Sequence, residues 1–320
     1  LKVNLRAHKM YALTTSTFKW YLKYLGLPLS IIFTMYRLCK RVQNHKTRNA
    51  LQGKVVIVTG ASSGIGEALA HVLYENGCKV ILASRRINEL NRVKEDLLSK
   101  KIALPTEEPL AIELDLSNLD VLESFVNKVY ESCGKIDILI NNGGVSHRGS
   151  ILHTKLDVDQ KIMLTNYLGS VGLTKAVLPR MVERKSGHIV FISSVQGLIA
   201  IPDRSAYAAS KHALQAFGDC LRSEMHQHSI DVSVVSPGYV KTSVSLNALT
   251  GSGESHGVMD SSTAAGFSAE YVAMKIVDLL VNKDKELIIS QFFPNLAITI
   301  RHSMPFLYFW IMARRANKTA

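Results

Sequence analysis

From residue 53 onward, short runs of unbroken hydrophobic residues alternate with longer segments whose apolar positions recur every three to four residues. The runs KVVIVTG (54–60), KVILAS (79–84), LAIEL (110–114), KIDILI (135–140), HIVFIS (188–193), IDVSVVS (230–236) and ELIIS (286–290) read as strands buried on both faces. Between them, residues 64–76, 86–100, 117–132, 157–184, 204–228 and 268–282 carry helical periodicity. Strand and helix in strict alternation predict a doubly wound, mostly parallel, seven-stranded α/β sheet in a single domain. A Gly/Ser-rich stretch, TGSGESHGVMDSST (250–263), is too polar for core and is predicted to be a mobile flap.

The pattern changes at both ends. Residues 20–36, WYLKYLGLPLSIIFTMY, are apolar with one interior charge, Lys23, and are followed by Arg37, Lys40, Arg41, Lys46 and Arg48. The stretch sits at the lower length limit for crossing a bilayer and is flanked by aromatic and basic residues, so it is predicted to be a membrane anchor; a helix packed on the globular domain is the alternative. Residues 296–313, LAITIRHSMPFLYFWIMA, are read either as a terminal segment packed on the core or as a foot lying in a membrane interface. The predicted organisation is a basic N-terminal region with its anchor (1–46), a linker (47–53), the α/β domain (54–295) and an apolar, basic tail (296–320).

Charge follows the same division. The net charge is +12 over 320 residues. Residues 1–50 hold ten Lys or Arg and no acid, and residues 301–320 add four more, so the central stretch is close to neutral. Basic residues interleaved with long apolar runs match anionic lipid head groups rather than nucleic acid. Cys39, Cys78, Cys133 and Cys220 show neither paired nor metal-ligand spacing, and His226 with His228 lacks a carboxylate or thiol partner; no metal is expected.

The chemistry is concentrated after the strands. TGASSGIG ends the first strand, with Gly60, Gly64 and Gly66 in a strand-to-helix turn that offers backbone N–H groups and a helix N-terminus to a pyrophosphate. The second strand ends in Ser84, Arg85 and Arg86, where an NAD enzyme would carry an acid, so a 2′-phosphate and hence NADPH is expected. In YAASK, Tyr207 and Lys211 share one helical face, and Ser194 precedes Tyr207 by thirteen residues. A nearby ammonium is expected to lower the phenol's pKa, so that Tyr207 exchanges a proton with a carbonyl oxygen that Ser194 orients.

These strings, with NNGG (141–144), Asn166 and SPGYVKT (236–242), resemble the short-chain dehydrogenases/reductases over about residues 51–290. The resemblance implies that Asn166 joins Lys211 in a proton relay and that Lys211 also holds the nicotinamide ribose. It implies a groove in which Ser62, Ser63 and Ile65 accompany the glycine turn. In that groove Asp115 and Leu116 meet the adenine, Asn142 and Gly143 line the floor, and Pro237, Gly238, Val240 and Thr242 bracket the nicotinamide. One departure is Gly143, where the family usually has Ala; the smaller residue is expected to loosen the groove. His147 and Arg148, after the fourth strand, lie where substrates enter such sheets, and His147 is taken as a substrate contact.

The strings 204–217, 236–248 and 256–264 narrow the likeness to a membrane-associated branch linked to reduction of acyl- or alkyl-dihydroxyacetone phosphate. That implies a lipophilic carbonyl substrate at the endoplasmic reticulum, with the peroxisome as alternative, and the basic cluster after residue 36 predicts a cytosolic catalytic domain. The likeness also implies homo-oligomers through helices 157–184 and 204–228. Retinaldehyde, a steroid or a 3-keto lipid stays open as substrate, and so does a non-catalytic NADPH-binding scaffold.

Overall fold

The computed structural model describes residues 48–319 except Ala103, and within the N-terminal region only Pro28, Ile31, Thr34 and Met35, all helical. The chain divides into Leu1–Arg48 and Asn49–Ala320, and the second unit holds the sheet. The predicted anchor at 20–36 falls almost wholly outside the described residues; among the described residues no helix is long and apolar enough to cross a membrane.

All seven predicted strands form one parallel sheet. In chain order the elements are β1 (Val55–Thr59), α1 (Gly64–Glu75), β2 (Lys79–Ser84), α2 (Ile87–Ser99), β3 (Leu110–Glu113), α3 (Leu122–Cys133), β4 (Ile138–Asn141), the short β5 (His147–Arg148), α4 (Leu156–Met163), α5 (Gly169–Arg184), β6 (Gly187–Ile192), α6 (Ser205–Met225), β7 (Ile230–Pro237), the short β8 (Leu249–Thr250), α7 (Ser261–Ala264), α8 (Ala269–Asn282), β9 (Glu286–Ile289), α9 (Phe292–Ser303) and α10 (Pro305–Thr319). Sheet order is β3-β2-β1-β4-β6-β7-β9, and β5 with β8 makes a separate two-stranded ribbon. Because alternate side chains of β1 point to opposite faces, Val56 and Val58 pack with Leu69, Leu73 and Ile276 of α1 and α8. Val55 and Ile57 pack with Phe125, Leu173 and Leu214 of α3, α5 and α6.

Several boundaries differ from the reading of the sequence for identifiable reasons. Within the linker, Arg48–Leu51 forms a 3-10 turn that buries Leu51 in the core. The fourth strand starts at Ile138 rather than Lys135, because Asp137 is used differently. Its carboxylate accepts the Val55 N–H at 2.9 Å, and Lys135 pairs with it at 3.0 Å. The helix expected over 157–184 contains a π-turn at Leu164–Leu168 between α4 and α5. Such a turn carries one extra residue and tends to occur where a side chain must be re-aimed. The segment 250–263 is pinned, with Thr250 N–H on Glu254 O at 2.8 Å and His256 N–H on Ala248 O at 2.8 Å. Residues after 291 form two helices, with Pro305 opening α10, where its missing N–H costs nothing.

Asp137 closes the N-terminal edge of the sheet. Replacing it by Ala strands a buried donor, so Asp137→Ala is expected to cost about 1–3 kcal/mol and lower Tm by several degrees in a thermal melt. An unchanged Tm would show that water satisfies the Val55 amide equally well.

Candidate active site

The crevice begins where β1 and β4, adjacent in the sheet, send their following segments apart. The Thr59 hydroxyl accepts the N–H of Asn142 at 2.9 Å and of Gly143 at 2.8 Å, while Asn142 Nδ2 donates to Thr59 O at 2.8 Å. These bonds stitch the two loops into one floor. Gly60 (φ 67°) and Gly64 (φ 61°) occupy left-handed backbone that disfavours any side chain. At Gly66 a Cβ would lie 2.2 Å from Gly60 O, so a side chain there would push α1 off the turn. No side chain caps α1, whose first N–H groups are therefore left for a ligand. The methyl absent at Gly143 leaves no slack: a Cβ there would meet Leu116 Cδ1 at 2.6 Å, so Leu116 already fills the space. The expectation of a loosened groove is corrected accordingly.

A cleft of about 480 Å³ runs along this floor. Ser62, Ser63 and Ile65 of the turn, Asp115 and Leu116 after β3, and Asn142 line it. Pro237, Gly238, Val240 and Thr242 form the wall after β7. Thr242 leans onto the turn, so a Cβ on Gly64 would stand 3.0 Å from its methyl. Arg85 and Arg86 are exposed at the rim, and Arg86 Nη2 donates to Ser62 and Ser63 Oγ at 2.9 and 3.0 Å. The left-handed glycines, the uncapped helix start and the guanidiniums at the rim form a donor set that fits the phosphates of a nicotinamide dinucleotide. Asp115 holds Ser117 N and Oγ at 2.9 and 2.8 Å, which fixes the turn after β3.

Tyr207 and Lys211 of α6 and Ser194 after β6 meet at the inner end of the cleft. Lys211 Nζ donates to Ile192 O at 2.8 Å and lies 5.7 Å from the centre of the Tyr207 ring. Burial lowers the Lys211 pKa to about 8. Burial also raises that of Tyr207, and the Ser194 hydrogen bond and Arg148 charge offset it only in part. The expected lowering of the phenol is therefore corrected: desolvation wins, and the phenol keeps its proton. Asn166, on the π-turn, is fully buried; its amide accepts Val145 N–H at 2.7 Å and donates to Val145 O at 2.9 Å and Ser210 Oγ at 3.0 Å. It ties the segment after β4 to α6 rather than lining the cleft, and a Cβ on Gly144 would sit between its Oδ1 (3.0 Å) and Lys211 Nζ (3.7 Å).

His147 is corrected as a substrate contact. It is 0% exposed, faces Thr154 Oγ1 at 3.1 Å, and burial lowers its pKa. Neighbouring strand residues face opposite ways, so it is Arg148 that reaches the cleft. There Arg148 Nε donates to Asp260 Oδ2 at 2.9 Å and Arg204 stands 3.5 Å from the same carboxylate. Burial, then Arg148, pushes Arg204 down to about 10. Two guanidiniums thus share one acid beside Tyr207. Arg204 and Asp260 were not singled out from the sequence. Asp260 lies in the polar segment after residue 250, where nothing local shows that its carboxylate folds back onto β5. On the outer surface, Glu67, His71 and Asp96 lie within 4.8 Å of one another, but Arg92 already pairs with Glu67 at 2.9 Å.

The model of the short chain dehydrogenases matches residues 54–251. The chain belongs to the short-chain dehydrogenase family. It is 52% identical over 299 residues to a dehydrogenase/reductase SDR family protein 7-like of Drosophila melanogaster, covering 93% of this chain and 91% of the relative. It is 45% identical over 287 residues to dehydrogenase/reductase SDR family member 7B of Mus musculus, covering 90% and 88%. Among solved structures, a short chain dehydrogenase/reductase from Burkholderia phymatum in complex with NAD superposes with a TM-score of 0.70 at 22% identity, over 80% of this chain and 95% of that one. That last likeness supports the fold.

Two glycines separate backbone from side-chain constraint in this short-chain dehydrogenase. Gly66→Ala drives a methyl into backbone and is expected to weaken dinucleotide binding at least about tenfold, with a lowered Tm. Gly143→Ala meets chiefly the end of the Leu116 side chain at 2.6 Å, with the Thr59 hydroxyl and Gly60 N at 3.3 and 3.4 Å, and is expected to change binding less than about threefold. Calorimetric titration of both variants checks this; equal losses would contradict it.

Proposed function

We propose that this chain is an NADPH-dependent reductase of a ketone or aldehyde carbonyl on a lipophilic substrate, with acyl- or alkyl-dihydroxyacetone phosphate as the first candidate. The observation that carries the reading is the meeting of Tyr207, Lys211 and Ser194 at the inner end of a glycine-floored cleft. The glycine turn and the start of α1 would hold the pyrophosphate, and Arg85 and Arg86 the 2′-phosphate. Asp115 and Leu116 would meet the adenine, and the wall from Pro237 to Thr242 would enclose the nicotinamide. When bound, the nicotinamide supplies hydride to the carbonyl carbon.

The chain's own groups do the rest. The Ser194 hydroxyl hydrogen-bonds the carbonyl oxygen and holds it toward Tyr207. As that oxygen gains charge, Tyr207 gives it the phenolic proton, completing the alcohol. The phenol holds that proton firmly because burial raises its pKa. Lys211, with a pKa of about 8, is still an ammonium at neutral pH and stabilises the phenolate left behind. Asn166 keeps α6 in register with the segment after β4, so Tyr207 and Lys211 stay over the cleft floor that this segment helps to form. Arg148 and Arg204, sharing Asp260, offer a net positive site for a substrate phosphate.

The placement at a membrane, at the endoplasmic reticulum or peroxisome with a cytosolic domain, is part of the same proposal. It is supported by the basic, aromatic helices α9 and α10, which expose Phe292 and Phe306 at 72% and 85%.

Turnover of NADPH against lipid ketones tests the reading. Tyr207→Phe is expected to lower kcat about 10²–10⁴-fold while NADPH binding holds. NADPH binding without turnover of any ketone would instead mark a scaffold. Arg86→Ala is expected to weaken NADPH by about tenfold or more and NADH little; parallel losses would contradict the 2′-phosphate assignment. Lys211 has a depressed pKa and acts as the ammonium, so reductive kcat/KM should be level below pH about 8 and fall above it. A profile flat to pH 10 would remove Lys211 from this role.

A further inference from the structure

A second cavity, of about 330 Å³, lies between the inner faces of α9 and α10 and the segments that follow β6 and β7. Its walls are largely apolar: Val195, Ile199 and Ile201 on one side, and Ala297, Ile300 and Ile311 on the other. Ser194, Gln196, Gly238, Tyr239 and Arg315 line both this cavity and the cleft, so the two are continuous at the group that would orient the carbonyl. Tyr308, 3% exposed, bolts α10 in place by donating its hydroxyl to Ala200 O. Arg301 lies 4.9 Å from the ring centre of Phe309 and ties α9 to α10. The outer faces of the two helices carry exposed Phe292, Phe306, Phe309 and Trp310, and Phe293, also largely exposed, stands at the edge of the cavity. Residues 291–320 contain Arg301, Arg314, Arg315 and Lys318 and no acid.

These features have one economical explanation. The cavity's volume suits roughly ten water-sized groups in a row, the bulk of an extended methylene chain. Packed interiors hold few voids of this size, and one with apolar walls suits an apolar occupant. The buried Gln196 Oε1 at the junction has no partner. It stands where a chain bearing a carbonyl would change from apolar to polar.

We propose that this cavity binds the unbranched hydrocarbon chain of the carbonyl substrate, and that α9 and α10 form the seat on an anionic lipid surface through which that chain enters. The proposal rests on the reductase reading and adds a chain-binding subsite to it. Selectivity then comes from chain length, since each methylene moved out of water into the cavity favours binding by roughly fourfold.

The test is a series of ketones with one head group and unbranched chains of two to sixteen carbons, followed by NADPH oxidation with the full chain. Wild type is expected to gain in kcat/KM with each methylene until the cavity is full. Ala297→Trp and Ile300→Trp, which place an indole in the cavity from half-buried helix positions, are expected to cause a loss that grows with chain length. At twelve carbons that loss should reach about a hundredfold. A wild-type series without length dependence, or a loss equal at every length, would overturn the subsite.

If wild type reduces no ketone at all, the reductase reading fails and the subsite is decided by binding. A fluorescent sixteen-carbon fatty acid should bind wild type and lose at least tenfold in either Trp variant. Equal binding by all three overturns the proposal. The seat is tested by sedimentation with vesicles of phosphatidylcholine containing phosphatidylserine. Phe306→Ser with Trp310→Ser should release the globular unit's share of binding, and unchanged sedimentation against a matched chain altered at residues 20–36 would overturn it.

Discussion

One threonine hydroxyl sets the geometry on which the cleft depends. Thr59 takes two backbone N–H groups from the segment after β4, and so holds that segment beside the glycine turn after β1. Parallel pairing of β1 with β4 brings the two strand ends together, but pairing alone does not fix the loops beyond them. With the clamp in place, Gly60 and Gly64 must be left-handed, Gly66 must lack a side chain, and Leu116 must fill the space over Gly143. Backbone donors and the start of α1 are then aimed into one groove before any ligand arrives, and that preorganisation is what makes a groove a binding site.

At the inner end of the groove, burial does two opposite things to neighbouring groups. It favours the neutral phenol of Tyr207 and, less decisively, the neutral amine of Lys211. A phenol that keeps its proton next to an amine still charged at neutral pH is suited to giving a proton to a new alkoxide. The sequence alone suggested a phenol made acidic by its neighbour, because spacing shows who is adjacent but not how much water is excluded. The buried Asn166 matters too: it satisfies backbone groups of the segment after β4 and a hydroxyl of α6, so the helix carrying Tyr207 and Lys211 cannot drift from the cleft floor.

Most of the fold was legible because its signals are local. An unbroken run of β-branched residues, as in Val55–Thr59 of β1, states a parallel strand, and the glycine spacing states the turn that follows. What remained hidden is non-local. The π-turn at Leu164–Leu168 interrupts no hydrophobic period, so the helix read as continuous. Asp260 looks like one more polar residue of a flexible segment until the chain folds it onto Arg148 and Arg204. His147 and Arg148 were adjacent candidates, and which of them faces the cleft depends on the two-residue ribbon that β5 makes with β8. The tail was read with two alternatives; Tyr308 packs on the core, as the first has it, while Phe306 stays exposed.

The account joins a polar reaction centre to an apolar cavity through shared residues. Its central claim is that a carbonyl carbon held beside Ser194 and Tyr207 receives hydrogen from a reduced nicotinamide. The most direct measurement is mass spectrometry of the alcohol formed from a long-chain ketone with NADPH stereospecifically deuterated at C4. One deuterium on the carbinol carbon, from one of the two C4 epimers and not the other, is the predicted result; an alcohol that carries no deuterium from either epimer would contradict it.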